Sequence, residues 1–121
     1  MKLLLIEDNH DVSSMIAQYL RLKGYDCMVT DNGKAGLDLI LNEKYDVILL
    51  DLAMPEFSGY DVIASLETSG KLKEQKLIIL TVYALTEDKM KDLESRGVHA
   101  CIKKPVQLHE LVKVIQSCAQ A

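Results

Sequence analysis

Three carboxylates follow two apolar runs of this sequence, at the points where those runs end. Asp51 follows the run at residues 45–50, and Glu7 and Asp8 follow the run at residues 3–6. If the two runs form neighbouring strands, the three carboxylates converge in one small volume, where like charges repel and raise each other's pKa. We therefore expect a cation to hold them together.

A hydroxyl and an ammonium group stand at the ends of two later runs. Thr81 ends the run at residues 77–81, and Lys104 follows the run at residues 99–103. Carboxylates offer only oxygen ligands, which favours a hard cation, best Mg²⁺ held partly by water and by a substrate phosphate, with Mn²⁺ as an alternative. Beside such an ion Asp51 is predicted to be a nucleophile toward a phosphoryl group, whose oxygens Thr81 and Lys104 would hold.

Each of these residues also has an ordinary structural explanation when it is taken alone. An aspartate at a strand end often caps a helix, and Asp8 competes with Asp11 to cap the first one. Thr81 alone fits a local turn, and Lys103 and Lys104 alone fit a solvated surface. The chemical interpretation is favoured by the combination, because the strand ends supply complementary groups.

Apolar runs of strand length alternate with segments of helical apolar spacing along the whole chain. Strands are predicted at residues 2–6, 25–30, 46–50, 77–81 and 99–103. The first helix is expected to end near Gly24, and the third to start at Ser58 with Asp61 as its capping-box partner. The second helix is expected to start near residues 31–33. The fourth helix is expected to span residues 86–96 and to have only a thin apolar stripe. The fifth helix is expected to follow the last strand.

This repeated alternation predicts an α/β fold with a five-stranded parallel sheet and five helices on its two faces. The first, third and fourth runs are continuously apolar, as buried central strands are, whereas the second and fifth are mixed, as edge strands are. The predicted order is 2-1-3-4-5, the flavodoxin-like arrangement, in which the first and third strands are neighbours.

Bulk properties narrow the class of protein. The length of 121 residues, with 49% hydrophobic and 26% charged residues, predicts one globular domain over residues 1–121. A net charge of −4 argues against direct nucleic-acid binding, which needs clustered Lys and Arg. Without a membrane-length run or a secretory segment we expect a cytoplasmic protein away from membranes. The three cysteines follow no metal or disulfide spacing and are expected to be reduced.

Taken together, the strand-end motifs resemble the receiver domain of two-component response regulators, and in particular chemotaxis-type receivers. They are Leu-Ile-Glu-Asp-Asn at 5–9, Leu-Leu-Asp-Leu-Ala-Met-Pro at 49–55, Ser-Gly at 58–59, Leu-Thr at 80–81 and Lys-Pro at 104–105. The resemblance spans the whole chain, and the set of motifs is far more specific than any one member.

The resemblance implies that Asp51 is the phosphoacceptor, which receives a phosphoryl group from the phosphohistidine of a sensor histidine kinase or a phosphotransfer protein. Asp8, Asp51 and the backbone carbonyl of Ala53 would ligate Mg²⁺, and Glu7 would act through water. Such a domain is a signalling module, not a conventional enzyme, although it would catalyse its own phosphorylation and dephosphorylation.

The resemblance also implies which groups bind the phosphoryl group once it is on Asp51. Thr81 would be a switch hydroxyl that moves onto it, and Lys104, before a cis Pro105, would reach into the site. The signal would change the binding of a downstream partner or an output domain, neither of which the sequence identifies.

Several positions depart from the family pattern. Cys101 stands where similar receivers carry an aromatic residue that turns inward with the threonine, so the signal is expected to leave by backbone or loop movement, with Tyr83 as a candidate to share the role. Val82 adds bulk at the mouth of the site, and Val106 replaces a common Phe. Neither Ala53 nor Tyr83 can orient an attacking water as an acid or amide could, which predicts slow self-dephosphorylation.

Three alternatives remain open at this point. A pseudo-receiver would keep the fold and act only as a protein-interaction module. A phosphatase of the haloacid dehalogenase type needs a second aspartate two residues after the nucleophile, where this chain has Ala53. A flavodoxin-type FMN protein needs a phosphate loop rich in Ser, Thr and Gly after the first strand, where this chain has Glu7 and Asp8.

Overall fold

Five parallel strands form one sheet at the centre of the protein, and the computed structural model describes residues 1–120. The strand order is β2-β1-β3-β4-β5. This confirms the predicted α/β, flavodoxin-like arrangement, in which the first and third strands are neighbours. The strands are β1 (Lys2–Ile6), β2 (Asp26–Thr30), β3 (Val47–Asp51), β4 (Leu77–Thr81) and β5 (Ala100–Lys103).

Helices cover both faces of the sheet. Alternate side chains of β1, β3 and β4 point to opposite faces, so each central strand contributes to two apolar cores. One core includes α2, α3 and α4, and the other includes α1 and α5. The helices are α1 (His10–Leu22), α2 (Gly33–Asn42), α3 (Gly59–Thr68), α4 (Glu87–Arg96) and α5 (Leu108–Gln120), with a 3₁₀ turn at Leu72–Glu74.

Burial separates central from edge strands as their composition predicts. Every residue of β3 and of β4 is buried, whereas β2 and β5 contain exposed or half-buried positions. Only Leu93 of α4 is buried, in agreement with the thin apolar stripe expected for that helix. None of the helices within residues 1–120 has the length and apolar character needed to cross a membrane.

The boundaries of β3 differ from those predicted, and the difference matters for the site. The strand starts one residue later than expected and includes Asp51, which is in register with Leu80 of β4. Asp46 lies outside the strand, where its carboxylate accepts a hydrogen bond from the Lys2 backbone N–H at 2.6 Å. Sheet pairing therefore fixes the backbone of Asp51.

The cap of α1 is a residue other than the two acids for which the sequence allows this ordinary structural role. The cap is Asn9, whose side-chain oxygen accepts from the Val12 N–H at 3.1 Å, and not Asp8 or Asp11. The capping box of α3 forms as predicted between Ser58 and Asp61.

Candidate functional site

The predicted functional side chains lie together at one edge of the sheet. Because all five strands are parallel, their carboxyl ends share that edge. Glu7 follows β1 and is 0% exposed, Asp51 ends β3 at 3%, and Thr81 ends β4 at 3%. Lys104 follows β5, an outer strand that is separated from β3 by β4 alone. Buried polar groups destabilise the fold unless they are paired, so each of these side chains needs a partner within the protein or a bound ion.

Three carboxylates form the acidic part of the site. Glu7, Asp8 and Asp51 each offer one oxygen, and these oxygens lie within 4.8 Å of one another. Asp8 is half-buried, while the other two are buried. A set of oxygen donors this close suits a hard divalent cation, since the ion removes their mutual repulsion.

Lys104 supplies the positive charge that the acidic part needs. Its Nζ contacts Oε1 of Glu7 and lies 3.5 Å from Oδ1 of Asp51. Its backbone N–H donates to the Thr81 carbonyl at 2.7 Å, which ties the end of β5 to the end of β4. The Lys104–Pro105 peptide bond is cis, as the resemblance implied.

Both oxygens of Glu7 have partners within the protein. Oε1 meets Lys104, and Oε2 accepts a hydrogen bond from the Asn9 backbone N–H at 3.2 Å. The sequence predicts only a water-mediated contact of Glu7 with a metal ion, and it predicts neither the contact with Lys104 nor a role for Asn9. The position of Asn9 directly after two acids and before a helical segment was the available signal.

Asp51 is held in place and strongly perturbed. Its Oδ1 accepts a hydrogen bond from the Ala53 backbone N–H at 3.2 Å. Burial, followed by the hydrogen bond and charge of Glu7, raises the pKa of Asp51 to about 7, against the opposing effects of Lys104 and the Ala53 N–H. Burial and the crowded carboxylates therefore leave Asp51 partly protonated near neutral pH, and a bound cation would displace that proton.

Thr81 turns its hydroxyl toward the loop that follows β4. Its Oγ1 accepts from the Tyr83 backbone N–H at 3.1 Å and donates to the Tyr83 carbonyl at 3.4 Å. The backbone of Thr81 follows Leu80, the register partner of Asp51, and is itself paired with Lys103 of β5. A rotation of this side chain is therefore enough to change what its hydroxyl binds.

Gly59 lets α3 begin against the end of β3. Its N–H donates to the Leu52 carbonyl at 3.0 Å. A Cβ at this position would lie 2.4 Å from the Asp51 carbonyl oxygen and 2.7 Å from Leu52 Cα. Both neighbours are backbone atoms, so glycine is required for the approach that positions residues 51–53.

Comparison with known proteins agrees with this geometry. The family model described as the response regulator receiver domain matches residues 3–116. The cell cycle response regulator CtrA of Brucella ovis is 37% identical over 117 residues, which cover 97% of this chain and 49% of that protein. The chain spans about half the length of the curated relatives it matches, which include a probable transcriptional regulator, ycf29, of Pyropia yezoensis.

Solved structures show the same fold. The receiver domain of the Francisella response regulator 1452 superposes with a TM-score of 0.88 at 28% identity, covering 98% of this chain and 96% of that one. The response regulator TrrA of Thermotoga maritima, solved in complex with Mg²⁺ and BeF, has a TM-score of 0.80 at 25% identity, covering 97% of each chain. Strand order, the acidic cluster and the family match together show that this chain belongs to the response regulator receiver domain family.

Proposed function

We propose that this chain is a phosphoacceptor: in the presence of Mg²⁺, a phosphoryl group passes from a phosphohistidine to Asp51. The carrying observation is the convergence of Asp51 with the carboxylates of Glu7 and Asp8 and with the ammonium of Lys104 at one sheet edge. Receiver domains interact with histidine kinases or phosphotransfer proteins, and we propose such a protein as the donor here.

The reaction balances with the groups on hand. An oxygen of the Asp51 carboxylate forms a bond to phosphorus as the bond from phosphorus to the donor imidazole nitrogen breaks. The imidazole nitrogen keeps the bonding electron pair and takes up a proton from water. Asp51 is well placed as the nucleophile, because sheet pairing fixes its backbone and the Ala53 N–H holds one of its oxygens.

The donor set fits Mg²⁺, and Mn²⁺ as a substitute. Asp8, Asp51 and the backbone carbonyl of Ala53 would hold the ion, with Glu7 acting through water while it also pairs with Lys104. When bound, Mg²⁺ supplies charge neutralisation for the carboxylates and the incoming phosphoryl oxygens. Because the pKa of Asp51 is raised to about 7, its carboxyl is partly protonated near neutral pH, and loss of that proton would be coupled to the arrival of the ion.

Lys104 and Thr81 stabilise the charge on the transferred group. Lys104 Nζ already lies 3.5 Å from Asp51 Oδ1 and needs only to shift from Glu7 toward a phosphoryl oxygen. Thr81 can donate its hydroxyl to another phosphoryl oxygen after it releases the Tyr83 carbonyl. Phosphorylation thereby changes contacts at β4 and β5, and we propose that this change alters the binding of a downstream partner or an output domain.

Phosphoryl uptake from a small donor tests the proposal. The wild-type protein is incubated with radiolabelled acetyl phosphate and Mg²⁺, and the label that alkali and hydroxylamine release, as they do from an acyl phosphate, is counted. Uptake is expected in the wild type, absent in Asp51→Asn and retained in Asp38→Asn, which makes the same chemical change at an exposed helical site. A folded wild-type protein that takes up no label would favour the pseudo-receiver, which only binds partners.

A further inference from the structure

An apolar groove lies beside the site, between the loop after β4 and strand β5. It has a volume of about 290 Å³, and its walls include Ala84, Leu85, Met90, Cys101 and Ile102. Cys101 faces the groove with a side chain smaller than an aromatic ring, and the space in front of it stays open. The groove is large enough for a phenol ring.

Tyr83 borders this groove but keeps its ring in solvent. The residue is 70% exposed, more than any other aromatic side chain among the exposed hydrophobic residues of positions 1–120. Transfer of an aromatic ring from water to an apolar surface is favourable, provided that its hydroxyl group stays in contact with water. The position of the ring depends on the backbone of Tyr83, which is hydrogen-bonded to the side chain of Thr81.

Thr81 controls that backbone. Its hydroxyl group accepts from the Tyr83 N–H and donates to the Tyr83 carbonyl, so it binds the loop twice. A threonine hydroxyl has one proton and cannot donate to the Tyr83 carbonyl and to a phosphoryl oxygen at the same time. When that proton goes to a phosphoryl group on Asp51, the carbonyl of Tyr83 is released.

We propose that Tyr83 is a lid that closes on phosphorylation: its ring leaves solvent and fills the groove against Met90 and Cys101. This inference rests on the proposed phosphorylation of Asp51 and names how that event is converted into a new surface. The closed ring covers part of α4 and β5 and withdraws an exposed aromatic side chain from the loop. A partner that contacts α4 and β5 would then meet a different surface before and after phosphorylation.

The reactivity of Cys101 reports the position of the lid. The protein is alkylated with iodoacetamide, with and without Mg²⁺ and beryllofluoride, and the Cys101 peptide is quantified by mass spectrometry. Beryllofluoride bound at Asp51 is detected separately by ¹⁹F NMR on the same samples. Cys27 and Cys118 are buried and serve as internal references for unfolding.

The matched variants are Tyr83→Phe, which keeps the ring, and Tyr83→Ala, which removes it but keeps both backbone bonds to Thr81. Beryllofluoride is expected to slow Cys101 alkylation roughly fivefold in the wild type and Tyr83→Phe if the closed state reaches about 80%, since only the open state reacts. The rate in Tyr83→Ala is expected to stay unchanged. An unchanged wild-type rate beside a clear ¹⁹F signal overturns the lid and leaves the proposed function standing, as does equal slowing in Tyr83→Ala. Absence of any bound ¹⁹F signal overturns both.

Discussion

Lys104 Nζ contacts Oε1 of Glu7, although the two residues lie 97 positions apart in the chain. The Glu7 side chain is 0% exposed and that of Lys104 is 12% exposed, so the ion pair is almost fully removed from water. The pair joins the end of β1 to the end of β5 across β3 and β4. In the metal-free protein this lysine balances a buried carboxylate that would otherwise lack a cation, and the same lysine lies within reach of Asp51.

Replacing Lys104 by methionine is therefore expected to destabilise the metal-free protein. Removal of one partner of a buried ion pair leaves an uncompensated charge, which costs about 3 kcal/mol in the free energy of unfolding. Urea denaturation measures this loss. The double variant Lys104→Met with Glu7→Gln should recover much of it, because the buried charge is then absent, and the exposed Lys103→Met should change stability little. Equal, small losses in the Lys104 and Lys103 variants would contradict the pairing.

The stability of the metal-free protein should fall as the pH rises from 5 to 8. Burial and Glu7 raise the pKa of Asp51 from 3.8 to about 7, so the folded state keeps a proton that the unfolded state has released. The stabilisation is complete below the unfolded pKa and is lost as the pH passes through the folded one. Urea titrations over this range should show the loss in the wild type and a smaller one in Asp51→Asn. A steeper loss in the variant would exclude Asp51 as the cause.

Magnesium should increase the free energy of unfolding most near pH 8, where it binds without displacing a proton from Asp51. Below about pH 7 the ion must displace the Asp51 proton, so its apparent affinity should weaken by roughly tenfold per pH unit. Isothermal titration calorimetry in buffers of different ionisation enthalpy measures both the affinity and the proton release. The test fails if affinity is flat from pH 5.5 to 8, or if no proton is released at pH 6.

Composition and spacing predict the strands well, because burial on both faces demands continuous apolar runs. The candidate site residues lie together because parallel strands end at the same edge of the sheet. The details that sequence left open depend on competition between similar groups. Asp8, Asn9 and Asp11 are all good helix caps, and only the backbone angles decide for Asn9. The contact of Glu7 with Lys104 depends on the packing of β1 and β5 around two intervening strands, which no local pattern reports.

Substitution of Gly59 by alanine should disturb the site as well as the fold. The new Cβ would press on the backbone of Asp51 and Leu52, at a cost of about 1–3 kcal/mol in the free energy of unfolding. Because that backbone positions the phosphoacceptor, phosphoryl uptake from acetyl phosphate should slow too. Gly24→Ala is the control, since it strains a positive φ of 92° but meets nothing within 4 Å. Normal phosphoryl uptake by a destabilised Gly59→Ala protein would contradict the prediction, because it would show that the packing of Gly59 does not position Asp51.

The phosphoryl group on Asp51 should be long-lived. Ala53, Val82 and Tyr83 are all exposed at the mouth of the site, and none carries an acid or amide that could orient an attacking water. Introducing such groups in the double variant Ala53→Asn with Tyr83→Glu should speed hydrolysis about tenfold or more, because a positioned acid or base typically contributes at least that much. The decay of radiolabel in Mg²⁺ buffer gives the lifetime, and Tyr60→Glu, at an exposed position on α3, controls for added negative charge. Wild-type decay as fast as that of the double variant would show that water reaches and attacks the phosphoryl group without help from these two side chains.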